Sequence, residues 1–397
     1  MATSTITRRE RVVRALNHEE PDRVPFDIGG TVASTIHPEV YSGVRKLLGF
    51  PLETEFTRHL TVLTEMVTPS EPFLDYADAC IRKVGAQIPR TNEEGPGYVQ
   101  RYVDEWGVVW ARLDEFSEFA DKGGPFQHQE PSTGDLERYP WPDPSDPSRY
   151  AGMREEADRI RRETDCALVC EIPYGVVREC QRMRGFAEFL EDLLINPAYA
   201  QALMEKVVDV VVAIAERTLE TVPDADVCLW VEDMGFQDRA YMRPELYQRM
   251  VKPYHARLVE AIRKNTDAKV MVHSDGTIRE LLADFIEIGV QVINPVQVSA
   301  KGMDSAELKR DFGRDLSFWG AIDTQHVLPF GSPDDVKAEV KKRIHDLAPG
   351  GGFVIASCHN IQREVPPENV IAMIEASAEY GDYGSRLFDT AAASSDG

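Results

Sequence analysis

The sequence has no apolar run approaching the roughly 20 residues that cross a bilayer. Its opening stretch, MATSTITRRERVVRAL, passes straight into a charged helical pattern, without the apolar region of a secretion signal. Six cysteines (Cys80, Cys166, Cys170, Cys180, Cys228, Cys358) are scattered and never form the Cys-x-x-Cys pairs of a structural zinc knuckle. Free thiols in a reducing cytoplasm are the expectation. Basic residues are scarce too: 44 Lys and Arg face 67 Asp and Glu, for a net charge of −23. A phosphate-backbone footprint needs the opposite balance, which excludes nucleic acid as a partner and leaves the acidity to serve solubility. No G-x-G-x-x-G follows a strand and no phosphate-loop motif occurs, so a dinucleotide fold has no support.

What is present is the material of a large globular protein. Hydrophobic residues make up 43% and charged residues 28% of 397, enough for one barrel or two smaller domains. The most informative stretch is 268–295, AKVMVHSDGTIRELLADFIEIGVQVINP. It reads as a strand over 269–273, a polar tip of Ser274, Asp275 and Gly276, a helix over 277–288 and a second strand over 291–294. The rhythm recurs, with strands expected over 227–231, 290–294, 317–321 and 353–356. Helices opening with Pro, Ser, Thr or Asp are expected over 244–264, 304–312, 333–347 and 366–380. Earlier strands at 23–28 and 166–172 bring the count to at least seven, which favours a closed (β/α)8 barrel over an open sheet.

The remaining segments decorate that barrel. Residues 5–17 read as a helix, 31–95 as mostly helical, and 99–113 as a two-stranded excursion turning near 105–107. Residues 123–150, rich in Pro, Asp and Ser, read as an extended surface connection with Trp141 as its anchor. Helices are expected over 146–164, 186–194 and 197–221. Residues 384–397 read as a disordered tail.

In such barrels the residues at the carboxyl ends of the strands carry the chemistry. Those ends present Asp27, Glu232 with Asp233, His273 with Asp275, Asn294, Asp323, and Cys358 with His359. Imidazole, thiolate and carboxylates around one mouth make a plausible zinc site, since zinc takes N, S and O ligands. Taken singly, a histidine at a strand end is more often a hydrogen-bonded core residue, and Cys358 a small buried hydrophobe. Their joint placement on strand ends is what raises them.

The runs GAIDTQHVLPFGSPDDVKAEV and LAPGGGFVIASCHNIQREVPPENVIAMIEASAEYG resemble the uroporphyrinogen decarboxylase superfamily, especially its methyltransferases that work with corrinoid proteins. RRERVVRALNHEEPDRVPFDIG and VEDMGFQDRAYMRPELYQRMVKPYH are similar to the same family. The resemblance implies one (β/α)8 TIM-barrel domain over 1–397, with N-terminal and loop extensions. Decarboxylases of this family hold a polycarboxylate porphyrinogen with an arginine in a glycine-rich segment after the first strand. Here that segment is DIGGTVASTIHPEVYSG, with no Arg or Lys between Asp27 and Gly43, so such a substrate would lack its charge-assisted partners.

The methyltransferase branch holds zinc with His-x-Cys at one strand end and a later Cys. The resemblance maps these onto His273-Ser274-Asp275 and Cys358, with Glu232 or Asp233 completing the set. It therefore implies zinc at His273, Asp275, Cys358 and Glu232, catalytic roles for Asp233, His273 and Asp27, and substrate contacts from Asn294, Asp323 and His359. The expected activity is methyl transfer between a small methylated substrate (methoxy, methylamine or thiol) and a corrinoid protein. Cobalamin would ride on that partner, because no Asp-x-His-x-x-Gly motif occurs here. Two alternatives stand beside it. One is a metal-free decarboxylase of a smaller acid, with Asp27 or Asp233 handling the proton and His273 orienting it. The other is a barrel that binds a ligand without turnover. A homo-oligomer is compatible with all three.

Overall fold

The structure, a computed structural model, describes residues 6–51, 58–60, 65–93, 100–112 and 118–384. Seven parallel strands lie side by side in the order Phe353–Ser357, Ser317–Ile322, Val292–Val296, Lys269–His273, Val227–Val231, Ala167–Ile172, Ile81–Gly85. The extended segment 24–28 fills the remaining gap. Phe26 bridges both Ala79 and Ile355, Asp27 N–H donates to the Ile355 carbonyl at 2.8 Å, and Cys80 N–H donates to Phe26 at 2.9 Å. Eight staves close the ring, as the strand count predicts.

One stave lies where the sequence reads as helix. Within 31–95 only Pro38–Leu47 and Glu71–Tyr76 are helical, and Ile81–Gly85 is a barrel strand. Its sequence IRKVG carries two charges in five residues, which hides the apolar run expected of a buried strand. Arg82 turns outward to Glu71 (2.7 Å), whereas Lys83, one step on, faces the lumen beside Glu171.

Alternate residues fill the lumen: Ile81, Val169, Leu229, Met271, Val292, Trp319 and Val354 form one buried cluster. Val12 and Leu16 of the helix Arg8–Leu16 plug its lower end, where Gly352 N–H donates to Ala15. That helix starts at a capping box in which Thr7 and Glu10 satisfy each other's backbone donors. Outside, the helices pack their apolar faces on the staves; Pro197–Thr221 buries Val207, Val208, Val211, Ile214 and Ala215, each worth about 1–3 kcal/mol when withdrawn from water. The helical stretch expected over 244–264 breaks into Pro244–Met250 and Lys252–Asn265, because Pro253 has no N–H to continue the ladder.

The excursion is a four-stranded antiparallel sheet (Arg90–Glu93, Gln100–Asp104, Val109–Arg112, Glu118–Gly123). Its expected turn is held by Asp104 Oδ1, which accepts N–H from Trp106 and Val108 at 2.9 Å each. The connection that follows is anchored by Trp141 against Trp106, Phe126 and Tyr139, and by the buried pair Arg149–Glu105. Of the expected tail, residues 385–397 lie outside the described residues. No described helix is long and apolar enough to cross a membrane.

Candidate functional site

His273, 3% exposed, ends its strand. Nδ1 lies 2.6 Å from Asn294 Oδ1 on the neighbouring stave. An amide oxygen only accepts, so Nδ1 carries the hydrogen and Nε2 faces the mouth. There Nε2 stands 3.6 Å from Asp275 Oδ2, and His359 Nε2 stands 3.7 Å from the same oxygen. The two imidazole centroids are 5.7 Å apart. Asp233 Oδ1 accepts the Asp275 N–H at 3.0 Å and fixes the loop from below.

Two glycines permit this approach. Gly276 adopts φ +82°, and a Cβ there would fall 2.3 Å from the Gly235 carbonyl, while Gly235 itself abuts Thr277. Ser274, fully buried, accepts the Met234 N–H. The charges reinforce one another. Burial pushes the His273 imidazole down, but the hydrogen bond and charge of Asp275, with help from Asp233 and Asn294, raise it to about 9. Burial pushes Asp275 up, yet His359 and His273 hold it below the usual carboxylate range. His359 is lowered by burial and by His273, against the opposing pull of Asp275.

The donor atoms of His273, Asp275 and His359 all lie within 4.8 Å of one another. Tetrahedral zinc bonds of about 2.0–2.1 Å set ligand atoms roughly 3.4 Å apart, so the three groups fit one divalent ion with small rotations. The set is two nitrogens and an oxygen. It departs from the sequence expectation at two residues.

Cys358 lies outside the cluster. Its thiol donates to the Val296 carbonyl at 3.1 Å, it is 2% exposed, and burial raises its pKa far enough to keep it protonated. Glu232 is fully buried on the other side of its backbone. It accepts the N–H groups of Val176, Val177 and Arg178 at the start of helix Val176–Arg184, and lies 3.2 Å from His255 Nε2. Both are structural ties, and the expected four-ligand set does not assemble.

Three other expected residues are placed as follows. Asn294 orients His273. Asp323 holds the turn after its strand, accepting from the backbone of Gln325 and His326. Asp27 sits deeper, 1% exposed, with Oδ2 taking the Trp319 indole N–H at 2.9 Å and Oδ1 the Gly30 N–H at 2.8 Å. Burial raises it to about 6, against the hydrogen bonds that favour its charged form.

Two features went unread in the sequence. Lys83 and Glu171, on adjacent staves, pair on the lumen side at 3.8 Å; alternation along Ile81–Gly85 places Lys83 on that side. Tyr241 borders the acids, and Asp233 and Asp275 add to burial in raising its phenol. It also lines a groove of about 840 Å³ between the helices Phe186–Ile195 and Pro244–Met250, beside the mouth and apart from the histidines.

The family model for uroporphyrinogen decarboxylase (URO-D) matches residues 117–380, well over half of the chain. The chain belongs to the uroporphyrinogen decarboxylase family. No curated protein matches it. Among solved structures, a methyltransferase from Methanosarcina mazei aligns over 94% of this chain and 99% of that one, with 16% identity and a TM-score of 0.58, which supports the shared fold. An endo-beta-1,4-xylanase of glycoside hydrolase family 10 from Gloeophyllum trabeum aligns over 57% of this chain and 80% of that one, at 11% identity and a TM-score of 0.38. This member of the uroporphyrinogen decarboxylase family keeps the barrel and gathers two histidines and an aspartate at its mouth.

Proposed function

We propose that this chain is a methyltransferase that moves a methyl group between a small methylated substrate and a corrinoid carried by a separate protein. The supporting observation is the cluster His273, Asp275 and His359, which gathers at the strand ends where the family resemblance looks for a metal. The family membership and the barrel-wide similarity to a structure described as a methyltransferase agree with it.

His273, Asp275 and His359 would hold one divalent ion, zinc in the first instance. When bound, such an ion supplies Lewis acidity toward the heteroatom that carries or receives the methyl group. With nitrogen and oxygen donors in place of thiolates, the site is harder than a sulfur-rich one. The chain's own residues do the rest. Asn294 fixes the His273 tautomer, as partners behind metal ligands commonly do. Asp233 holds the Asp275 loop and offers a second carboxylate to the pocket. The staves enclose the site on an apolar floor of Met271, Leu229 and Trp319. All six cysteines are free and buried, which suits the reducing cytoplasm proposed for it.

A second reading is a metal-free decarboxylase of a smaller acid. It draws on the raised His273, an imidazolium at neutral pH without an ion, beside Asp233. Elemental analysis of the purified protein, followed by a spectral assay of cobalamin methylation, separates the readings. One zinc per chain with methylation supports the first; a metal-free protein that releases carbon dioxide supports the second.

A further inference from the structure

The base of the barrel, at the opposite end from the histidines, gathers charge of the sign this chain is short of. Lys269 opens its strand beside Val227, and alternation with Met271 turns it toward the lumen. Lys309, on the helix Ser305–Phe312, reaches under the ring, where Nζ donates to the Gly351 carbonyl at 2.6 Å. His18 follows the helix Arg8–Leu16 and lies against Gly352. A Cβ at Gly352 would fall 2.9 Å from His18 Nδ1 and 3.4 Å from Lys309 Nζ. One residue without a side chain thus brings an imidazole and an ammonium to the same spot.

Ser317 stands beside Gly352 on the next stave, since Phe318 pairs with Phe353 and its N–H donates to the Gly352 carbonyl. Alternation with Trp319 turns its side chain to the lumen. Ser317 is fully buried, and its Oγ has no hydrogen-bond partner among the described residues. A buried hydroxyl is ordinarily paired.

The electrostatics of this corner are one-sided. Neither Lys269 nor Lys309 forms an ion pair with a described residue. Burial lowers the Lys269 ammonium, and burial lowers Lys309 to about 8 against a distant pull from Glu20. His18 is lowered by burial and then by Lys309 and Lys269, with Asp315 opposing. The two acids do not balance them: Glu20 is committed to the Gly350 N–H at 2.8 Å, and Asp315 is exposed. All three basic groups are half-buried, so each remains open to solvent.

We infer that the base of the barrel binds a doubly charged tetrahedral oxyanion, either phosphate or the phosphate group of a small ester. Its oxygens accept from both ammonium groups, from the His18 ring and from Ser317 Oγ. Lys309 has two N–H groups to give beyond the one on Gly351. The anion ties the end of the first helix to the staves Lys269–His273 and Ser317–Ile322 and to the helix Ser305–Phe312. That end of such a barrel serves stability, so occupancy tightens the closure of the ring. The site is independent of the mouth and of the methyl-transfer reading.

The test is melting of the full-length protein in sodium phosphate, in glycerol 3-phosphate and in sodium chloride at matched ionic strength, with calorimetric titration for affinity. A ligand of the folded state raises the melting temperature as its concentration passes Kd. At least one of the two phosphates is expected to do so saturably and chloride is not. The tighter of the two identifies the source, free ion or phosphorylated metabolite. Affinity should fall at least about tenfold in Lys309→Gln and in Lys269→Gln, and about threefold in Ser317→Ala, with melting temperatures reporting that the variants fold. His273→Ala, at the mouth, should leave it unchanged. No saturable binding of either phosphate, an equal gain in chloride, an affinity unchanged in either lysine variant, or loss of binding in His273→Ala overturns the inference.

Discussion

Two strand ends at the barrel mouth each present a pair of adjacent chemical residues, Glu232-Asp233 and Cys358-His359, and each pair divides its labour the same way. One residue turns back into the fold: Glu232 ties a helix start to its strand, and Cys358 bonds the stave next but one through Val296. The other faces the shared pocket, Asp233 under Asp275 and His359 across from His273. The lesson is that reactivity at a strand end belongs to the residue whose polar atoms the scaffold leaves unspent. The buried partner serves stability, and on the proposed reading the exposed one serves the chemistry.

The largest effect should come from breaking the buried half of the first pair. Glu232→Ala leaves three backbone donors and His255 facing an empty site, and is expected to cost about 3–5 kcal/mol in denaturant unfolding. Asp233→Asn should leave unfolding within about 1 kcal/mol of the parent while lowering turnover. If the two substitutions cost the same stability, the division fails for that pair.

Asp27 comes next and sharpens the contrast from inside the lumen. Its carboxyl is raised from 3.8 to about 6, so between those values the folded chain binds more proton than the unfolded one. Stability from this group therefore falls as pH rises through that window, by about 3 kcal/mol in all, and the cost is complete above it. Asp27→Asn should flatten that slope in melts taken from pH 4 to 7; a slope unchanged by the substitution contradicts the assignment.

A smaller change is expected behind the histidine. Asn294→Ala frees the His273 ring and should weaken zinc binding about 10–100-fold with little change in fold, read by competition with a chromophoric chelator. Smallest of all, Cys358→Ala should cost about 1 kcal/mol of stability and leave zinc affinity unchanged.

Much of this architecture is legible in the sequence, and the limits have physical causes. Strands with apolar runs ending in polar tips, such as VMVHSD and VCLWVED, stand out because one short segment shows both burial and exposure. Ile81–Gly85 does not, because its two charged residues each find a partner that only the folded ring supplies. The candidate site reads as a region for the same reason, with His273 and Asp275 evident from a strand end and a glycine. Which of two adjacent residues faces the pocket is not legible, since alternation ends with the strand and the loop beyond follows its own hydrogen bonds. The sequence alone favours Cys358 as a ligand and His359 as a substrate contact; the Val296 carbonyl, distant in sequence, turns the thiol away, and it is His359 that lies beside His273 and Asp275.

The most direct measurement is the zinc content of three purified proteins: the parent, His359→Ala and Cys358→Ala. One zinc per chain in the parent and in Cys358→Ala, with loss from His359→Ala, is the predicted result. Zinc retained by His359→Ala and lost from Cys358→Ala, or none in the parent, would contradict the account.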